Sequence, residues 1–497
     1  MKEMKKIVVG LVGTSQLSFP GPKEKAFARC ADGMKKLSEK MGFDLVVYKD
    51  TVITREEAIT ATKYMEDNKV DFLMVQHTSY TGGQVAPVFA KIKNARVGFW
   101  AIPEGVDCGA VPFNSFCSIN MHCGIVAHYL RDYNIPIKWF YGDVEDPAFV
   151  RRFEVTVRAI RAIVNISQAR VALVGGIAPY FNDLYDDERN INKRFEGIFF
   201  YRLHEFNEIK EKALAYSKEE IEPIVKEMIA KSKGALDDPE IQKTFECDLS
   251  QFVLDRVEMN ARIYKAYKDF VEENDYDAVA VSCWPKFADE LDKFTVCATL
   301  GQLNDEGTVA ACEGDVLSAI SMLILKYIAG GEPTMLMDMS AFDQKDNSVL
   351  LWHCGPAASH FCQCNGYHLG CNFSGTAHVP NSGVTSASAP ARDMVFDPND
   401  ATIFRLSGEV DKYMEFSGHF MGATKPSCHG SRGWLTDLTT KGNEVKALDL
   451  VNTVLSTGFQ HHFPVVLGHY YEEVEEFCAW LGLKRIEMVP YADYLQR

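Results

Sequence analysis

No stretch of this 497-residue chain approaches the roughly 18 uninterrupted apolar residues of a membrane-spanning helix, so no span is expected. The only apolar run near the start, Ile7-Val8-Val9, is too short for a leader core, and no small-residue cleavage pattern follows it. Positive charge is scarce: 52 Lys and Arg face 68 Asp and Glu, a net charge of −16. Such a chain lacks the electrostatic footprint of a nucleic-acid binder and would be repelled by anionic membranes. Cysteine is modest at 14, and Cys283, Cys297 and Cys312 sit inside apolar runs. Buried reduced thiols in a cytoplasmic protein explain that better than a disulfide framework. Repeats and low-complexity tails are missing too. What remains is an ordinary globular composition, 47% hydrophobic and 24% charged, long enough for about three domains and expected to bind a small molecule.

Strand-like runs at residues 6–14, 44–48, 71–76, 95–101 and 137–141 alternate with amphipathic segments at 23–41 and 55–68, and a helical segment at 148–167 closes the unit. Strands separated by helix-length segments predict βαβ units and a parallel sheet covered on both faces. A second such unit opens with 169–174 and Gly175-Gly176, passes through helical segments at 218–233 and 249–273, and resumes strands at 277–282. Gly175-Gly176 lacks the full dinucleotide fingerprint, so an ordinary strand-to-helix turn is the simpler reading. After about residue 340, Gly, Ser, Asn and Pro punctuate short runs at 349–352, 394–396, 402–406 and 464–467, before a helix at 471–481. The expected fold is therefore α/β: two doubly wound parallel-sheet domains, 1–168 and 169–345, followed by a mostly β, barrel-like C-terminal domain, 346–497.

The most informative stretch runs from 307 to 352. A short buried strand at 308–312 ends at Glu313, Asp315 caps an apolar helix over 316–327, and Gly330-Gly331 and Pro333 end it. The next strand, 334–337, ends at Asp338. Read as a βαβ unit, this makes the two strands parallel and brings both acids to the carboxyl edge where open α/β sheets bind ligands. His353, ending the following strand, could join them. Two carboxylates and an imidazole suit Mn²⁺, Mg²⁺ or Zn²⁺ with positions left for substrate oxygens. Helix-capping or salt-bridging acids are the competing explanation. Ala310-Ala311-Cys312 before Glu313 and Met335-Leu336-Met337 before Asp338 favour the site, since neither acid lies on an obviously solvated face.

Leu303-Asn304-Asp305-Glu306-Gly307, Ala311-Cys312-Glu313-Gly314-Asp315, Met337-Asp338, Trp352-His353-Cys354-Gly355, His461-His462 and Gly468-His469 together resemble the L-fucose isomerase and L-arabinose isomerase superfamily, a group that includes sulfoquinovose isomerases. The resemblance follows the domain order of the whole chain, with its specific motifs confined to about residues 280–470. It implies an aldose–ketose isomerase that uses a divalent metal, usually Mn²⁺, and assembles as a homohexamer. It also implies that Glu313 and Asp338 are acidic ligands that move the proton, that His462 is the C-terminal ligand, and that His353 is a further ligand found in the arabinose branch. Asp338 stands where that branch has Glu.

Other residues carry weaker signals. Trp284, before Pro285, faces either the sugar or the core. Gln84, in Thr81-Gly82-Gly83-Gln84, follows the third strand at an edge that in hexameric relatives completes a neighbour's site. Lys425, His429 and Arg432 share a Gly/Ser/Pro-rich loop suited to an anionic group such as a sulfonate, or simply to solvent. His77, His122, His128, His204 and His378 read as ordinary satisfied histidines. Two rival functions remain. One is a structural zinc site from His353, Cys354, His360, Cys362, Cys364, His368 and Cys371 in a regulatory protein, although their spacing fits no common template. The other is a non-catalytic sugar-binding module.

Overall fold

The computed structural model describes residues 3–105, 109–195, 200–232, 249–291, 294–372 and 388–492, so His378 lies outside the described residues. The chain divides into two compact units, Met4–Val164 and Asn165–Arg497.

In the first unit, strands β1 (Val8–Thr14), β2 (Asp44–Val47), β3 (Phe72–His77), β4 (Arg96–Ala101) and β5 (Ile137–Tyr141) form a parallel sheet in the order β2-β1-β3-β4-β5. β3 is buried along its whole length, as expected of a central strand covered on both faces. Val12, Leu73, Val75 and Phe99 share one core with Ala61, Met65 and Phe89. Trp100 stacks on Phe149 of the helix Pro147–Ile166, with ring centroids 4.6 Å apart.

The second unit holds two sheets. β6 (Arg170–Val174), β7 (Phe200–His204), β8 (Ala278–Val281) and β9 (Val309–Ala311) form a parallel sheet ordered β7-β6-β8-β9. The other sheet comprises β10 (Thr334–Asp343), β11 (Ser348–His353), β12 (His368–Asn372), β13 (Ser388–Val395), β14 (Asn399–Leu406), β15 (Lys412–Phe420), β16 (Ser431–Thr440), β17 (Asn443–Glu444), β18 (His462–Leu467) and β19 (Lys484–Arg485). Within it β11, β10, β18, β14, β15 and β16 pair antiparallel in a closed ring, which is the expected barrel. No helix among the described residues is long and apolar enough to cross a membrane.

One topological expectation is corrected. Glu313 and Asp338 do not leave one parallel sheet at one edge: β9 ends the four-stranded sheet, whereas β10 lies in the barrel, antiparallel to β11 and β18. The strand also continues past Asp338 to Asp343. The linking helix, Val316–Ile328, explains the difference. It is buried on every side except at Lys326, because it packs on β8 and β9 and also on β14 and β18. A helix apolar all round lies between two layers, so the strand after it need not return to the sheet before it.

Barrel closure also buries Glu415 of β15. Burial pushes its carboxyl up to about 7, against the Lys441 N–H and the Ser417 hydroxyl that donate to it at 2.9 and 3.0 Å. The raised value means the folded state holds this proton more tightly, so its contribution to stability is full below the ordinary glutamate range and is lost as pH rises through about 7. Glu415→Gln keeps both hydrogen bonds, since the Ser417 hydroxyl can turn to accept. The variant's melting temperature should therefore fall less than the parent's between about pH 5 and pH 8. Parallel curves from calorimetry would refute this.

Candidate metal and catalytic site

Glu313 sits one residue beyond Cys312, where β9 has ended, at φ +62°. This left-handed conformation is uncommon for a residue with a side chain and is retained where surrounding contacts over-determine it. Those contacts are local. The Glu313 carbonyl accepts from Ala178 N–H at 2.9 Å, and Gly314 N–H donates to the Val281 carbonyl at 2.9 Å. Gly314, at φ +73°, lies so close to the Gly176 carbonyl that an added Cβ would come within 2.3 Å of it. The Gly175-Gly176 turn thus makes room for the Glu313 corner.

Asp338 and His462 are register partners on β10 and β18. Nε2 of His462 lies 3.2 Å from Glu313 Oε2 and 3.6 Å from Asp338 Oδ1. The ligand atoms of Asp338, His353 and His462 lie within 4.8 Å of one another. Glu313 Oε2, Asp338 Oδ1, His353 Nε2 and His462 Nε2 are all buried, and none makes a hydrogen bond. Buried polar atoms are rarely left so, and here they fall in two groups that share His462: one of Asp338, His353 and His462, the other of Glu313, His461 and His462.

Hydrogen bonding behind the ring fixes the His462 tautomer. Its Nδ1 donates to Asp315 Oδ2 at 2.8 Å, which leaves an Nε2 lone pair facing the two carboxylates. Asp315 in turn takes Arg405 Nη1 at 2.7 Å and caps the helix by accepting from Ser318 N–H at 2.8 Å. Three carboxylates and one guanidinium in this buried cluster leave an excess of negative charge, which protonated His462 and His353 or a bound cation would offset. Burial pulls the His462 imidazole down, but Asp315, Glu313 and Asp338 push it up to about 10. His353 is likewise pulled down by burial and pushed up to about 9, first by Asp338. Burial raises the Glu313 carboxyl, yet neighbouring His461, His462 and His353 hold it well below the usual range. Two carboxylate oxygens and an imidazole lone pair form a donor set that fits Mn²⁺, Mg²⁺ or Zn²⁺. His353 differs in one respect: its Nδ1 accepts Cys354 N–H at 2.9 Å, and this hydrogen bond must break for Nε2 to ligate.

The turn after β6 supplies further residues that the sequence did not single out. Asp183 Oδ2 holds His461 Nδ1 at 2.6 Å, and Phe181 stacks on the same ring, 5.9 Å between centroids. His461 Nε2 then lies 3.8 Å from Glu313 Oε2. The signal for His461 was the double histidine itself; for Asp183, 278 positions away from its partner, there was none.

Trp284 stands over Tyr180 of that turn, ring centroids 6.2 Å apart. Gln84 belongs to the first unit, where its amide donates to the Ile53 carbonyl at 3.0 Å. The basic loop does not act as one cluster. Lys425 is bound by Asp343 at 2.9 Å and Asp346 at 2.7 Å, beneath Trp434, at the far end of the β10–β11 hairpin. His429 and Arg432 instead share Asp393. Arg432 pairs in register with Trp352, and Trp352 with Asp338, so a single row crosses the sheet from His462 to Arg432. Register partners face the same side, which puts Arg432 two strand spacings, about 10 Å, from Asp338. Arg432 Nε and Nη1 have protein partners, whereas Nη2 makes no hydrogen bond to a described residue. Of the seven residues of the rival zinc cluster, only His353 joins a potential metal group among the described residues, and the Cys371 side chain lies outside them.

One carboxylate from the barrel and one from the end of a parallel sheet, flanking a single imidazole, form the kind of site that the resemblance to sugar isomerases implies. Curated relatives carry the same likeness over most of the chain. It is 23% identical over 452 residues to the sulfoquinovose isomerase of Priestia aryabhattai, covering 87% of this chain and 91% of that one. It is 26% identical over 427 residues to the sulfoquinovose isomerase of Clostridium sp. (strain MSTE9), covering 84% and 86%. Another, from Alkalicoccus urumqiensis, is 21% identical over 424 residues, covering 84% and 86%. No family model matches the chain. The chain is thus similar over most of its length to sugar-isomerase enzymes.

Proposed function

We propose that the chain is a divalent-metal-dependent aldose–ketose isomerase that converts sulfoquinovose to 6-deoxy-6-sulfofructose. The observation that supports the chemistry most is that four buried, unpartnered ligand atoms, from Glu313, Asp338, His353 and His462, fall in two groups that meet at His462. Glu313, Asp338 and His462 would hold the ion, with His353 beside them. A divalent cation, Mn²⁺ by resemblance, would supply Lewis-acid polarisation of the open-chain sugar's carbonyl and its neighbouring hydroxyl. The chain's own residues move the proton. Glu313, ionised and fixed by its left-handed backbone, takes it from C2. Asp338, the more exposed acid, is placed to return to C1 a proton taken up from solvent; the hydroxyl proton passes from the oxygen on C2 to that on C1, and Glu313 gives its proton up to solvent before the next turnover. Asp315 keeps the His462 ring in the orientation and tautomer this arrangement needs. By resemblance the enzyme is a cytoplasmic homohexamer in which the Gln84 edge completes a neighbour's site.

The sulfonate assignment is supported by the relatives' names and by Arg432, which stands on the same row as Asp338 at a distance suited to the far end of a six-carbon chain. A panel of sulfoquinovose, L-fucose and L-arabinose with Mn²⁺ tests the substrate. Arg432→Ala should raise KM for sulfoquinovose about ten- to a hundredfold, the worth of a charge-assisted contact of roughly 1.5–3 kcal/mol. Lys425→Ala, whose charge is spent on Asp343 and Asp346, should change it little. Equal small effects of Arg432→Ala on charged and neutral sugars would return a neutral aldose to first place.

A further inference from the structure

Cys283 and Cys312 follow the carboxyl ends of neighbouring parallel strands, β8 and β9, whose register pairs Ala280 with Ala311. The two thiols and a Glu313 carboxylate oxygen lie within 4.8 Å of one another, which makes one of the potential metal groups among the described residues. Neither sulfur is in a disulfide. Cys312 is buried and Cys283 half-buried, so one thiol is accessible and the other is enclosed. Glu313 Oε2, as noted, has no hydrogen-bond partner. A tetrahedral ion bound at about 2.3 Å by two thiolates needs their sulfurs roughly 3.8 Å apart, which this spacing admits with small adjustment.

We propose that Cys283, Cys312 and Glu313 form a second cation site, selective for thiophilic ions of the Zn²⁺ class and distinct from the oxygen- and nitrogen-rich isomerase site. Glu313 belongs to both. A soft ion drawn in by the two sulfurs takes the carboxylate from the harder ion, and the two sites cannot be filled together. Binding involves no oxidation: each thiol releases its proton to solvent, and the sulfur's electron pair forms the new bond to the ion. The preference follows from ligand softness, since thiolate selects Zn²⁺ and its heavier congeners over Mn²⁺. Only the competition rests on the isomerase reading; the thiolate site does not.

Cd²⁺ is a convenient probe because its thiolate complexes absorb in the ultraviolet. One equivalent added to the full-length, metal-free chain should produce a thiolate charge-transfer band. A Cys283→Ser/Cys312→Ser variant with unchanged circular dichroism should lose that band. Cys283→Ser alone, at the half-buried position, should weaken Cd²⁺ binding by more than the about tenfold that losing an outer-shell partner costs. In the Mn²⁺-loaded chain, Cd²⁺ should release Mn²⁺, seen as the free-ion spectrum in electron paramagnetic resonance, and the double variant should retain it. Identical bands in wild type and double variant would overturn the site. A wild-type band without Mn²⁺ release would overturn the sharing of Glu313. A chain that binds no Mn²⁺ yet shows the band would instead count against the isomerase reading.

Discussion

Glu313→Gln and Asp338→Asn should each lower kcat by about a hundred- to ten-thousandfold, the range that general acid–base catalysis contributes. Both substitutions keep the side chain's size but remove its charge and its ability to take a proton. In the Glu313 variant the His462 lone pair also loses the nearer of its two carboxylate neighbours, 3.2 Å away against 3.6 Å for Asp338. Metal affinity should therefore fall along with turnover. Stability of the Glu313 variant should fall at neutral pH, because the neighbouring imidazoles that hold this carboxyl well below its usual range lose the charge they pair with. Steady-state kinetics with Mn²⁺, beside thermal melts of the same samples, separate these effects. Near-normal turnover in either variant would remove that residue from catalysis.

The largest effect on stability is expected at the pair behind the site. Arg405 and Asp315 are both almost wholly enclosed, with side chains 0% and 2% exposed. Arg405→Met leaves the Asp315 charge in the interior without its guanidinium, and Asp315→Asn leaves Arg405 without its carboxylate. Each should cost about 3–5 kcal/mol, whereas the Arg405→Met/Asp315→Asn double variant should recover much of the loss because no unpaired charge remains. Asp315 has a second task that the double variant cannot restore. Without the carboxylate behind Nδ1, the His462 ring is less basic and less well oriented, so metal affinity should stay about ten- to a hundredfold down. Denaturant melts and Mn²⁺ titrations on all three variants check the two parts independently. Additive losses of stability would mean that the pair is not energetically coupled.

Much of this was legible in the sequence, and the exceptions have physical causes. The alternation of apolar strand runs with the amphipathic helices at 23–41 and 55–68 gave the first sheet to within a residue or two at each strand end, while the helix Ser115–Tyr129, whose apolar and polar residues are hardly segregated, went unread. The acids were found through their apolar flanks, and those flanks are the buried ends of β9 and the start of β10. The connection between them was misread because a helix buried on all sides shows no preferred face. Arg405 and Asp183 were invisible for a different reason. A charged residue within a strand or turn announces itself only through the partner it meets across the fold.

The central claim is a divalent ion held by Glu313, Asp338 and His462, and stripping the ion tests it most directly. The chain is treated exhaustively with chelator, assayed with sulfoquinovose, examined by circular dichroism and then titrated with Mn²⁺. Turnover should vanish on stripping while the spectrum stays unchanged, since the ion joins strand ends that are already held by the Asp315–Arg405 pair and the sheet ladders. It should return as Mn²⁺ approaches one equivalent per chain. Full turnover by the stripped, folded protein would contradict the claim.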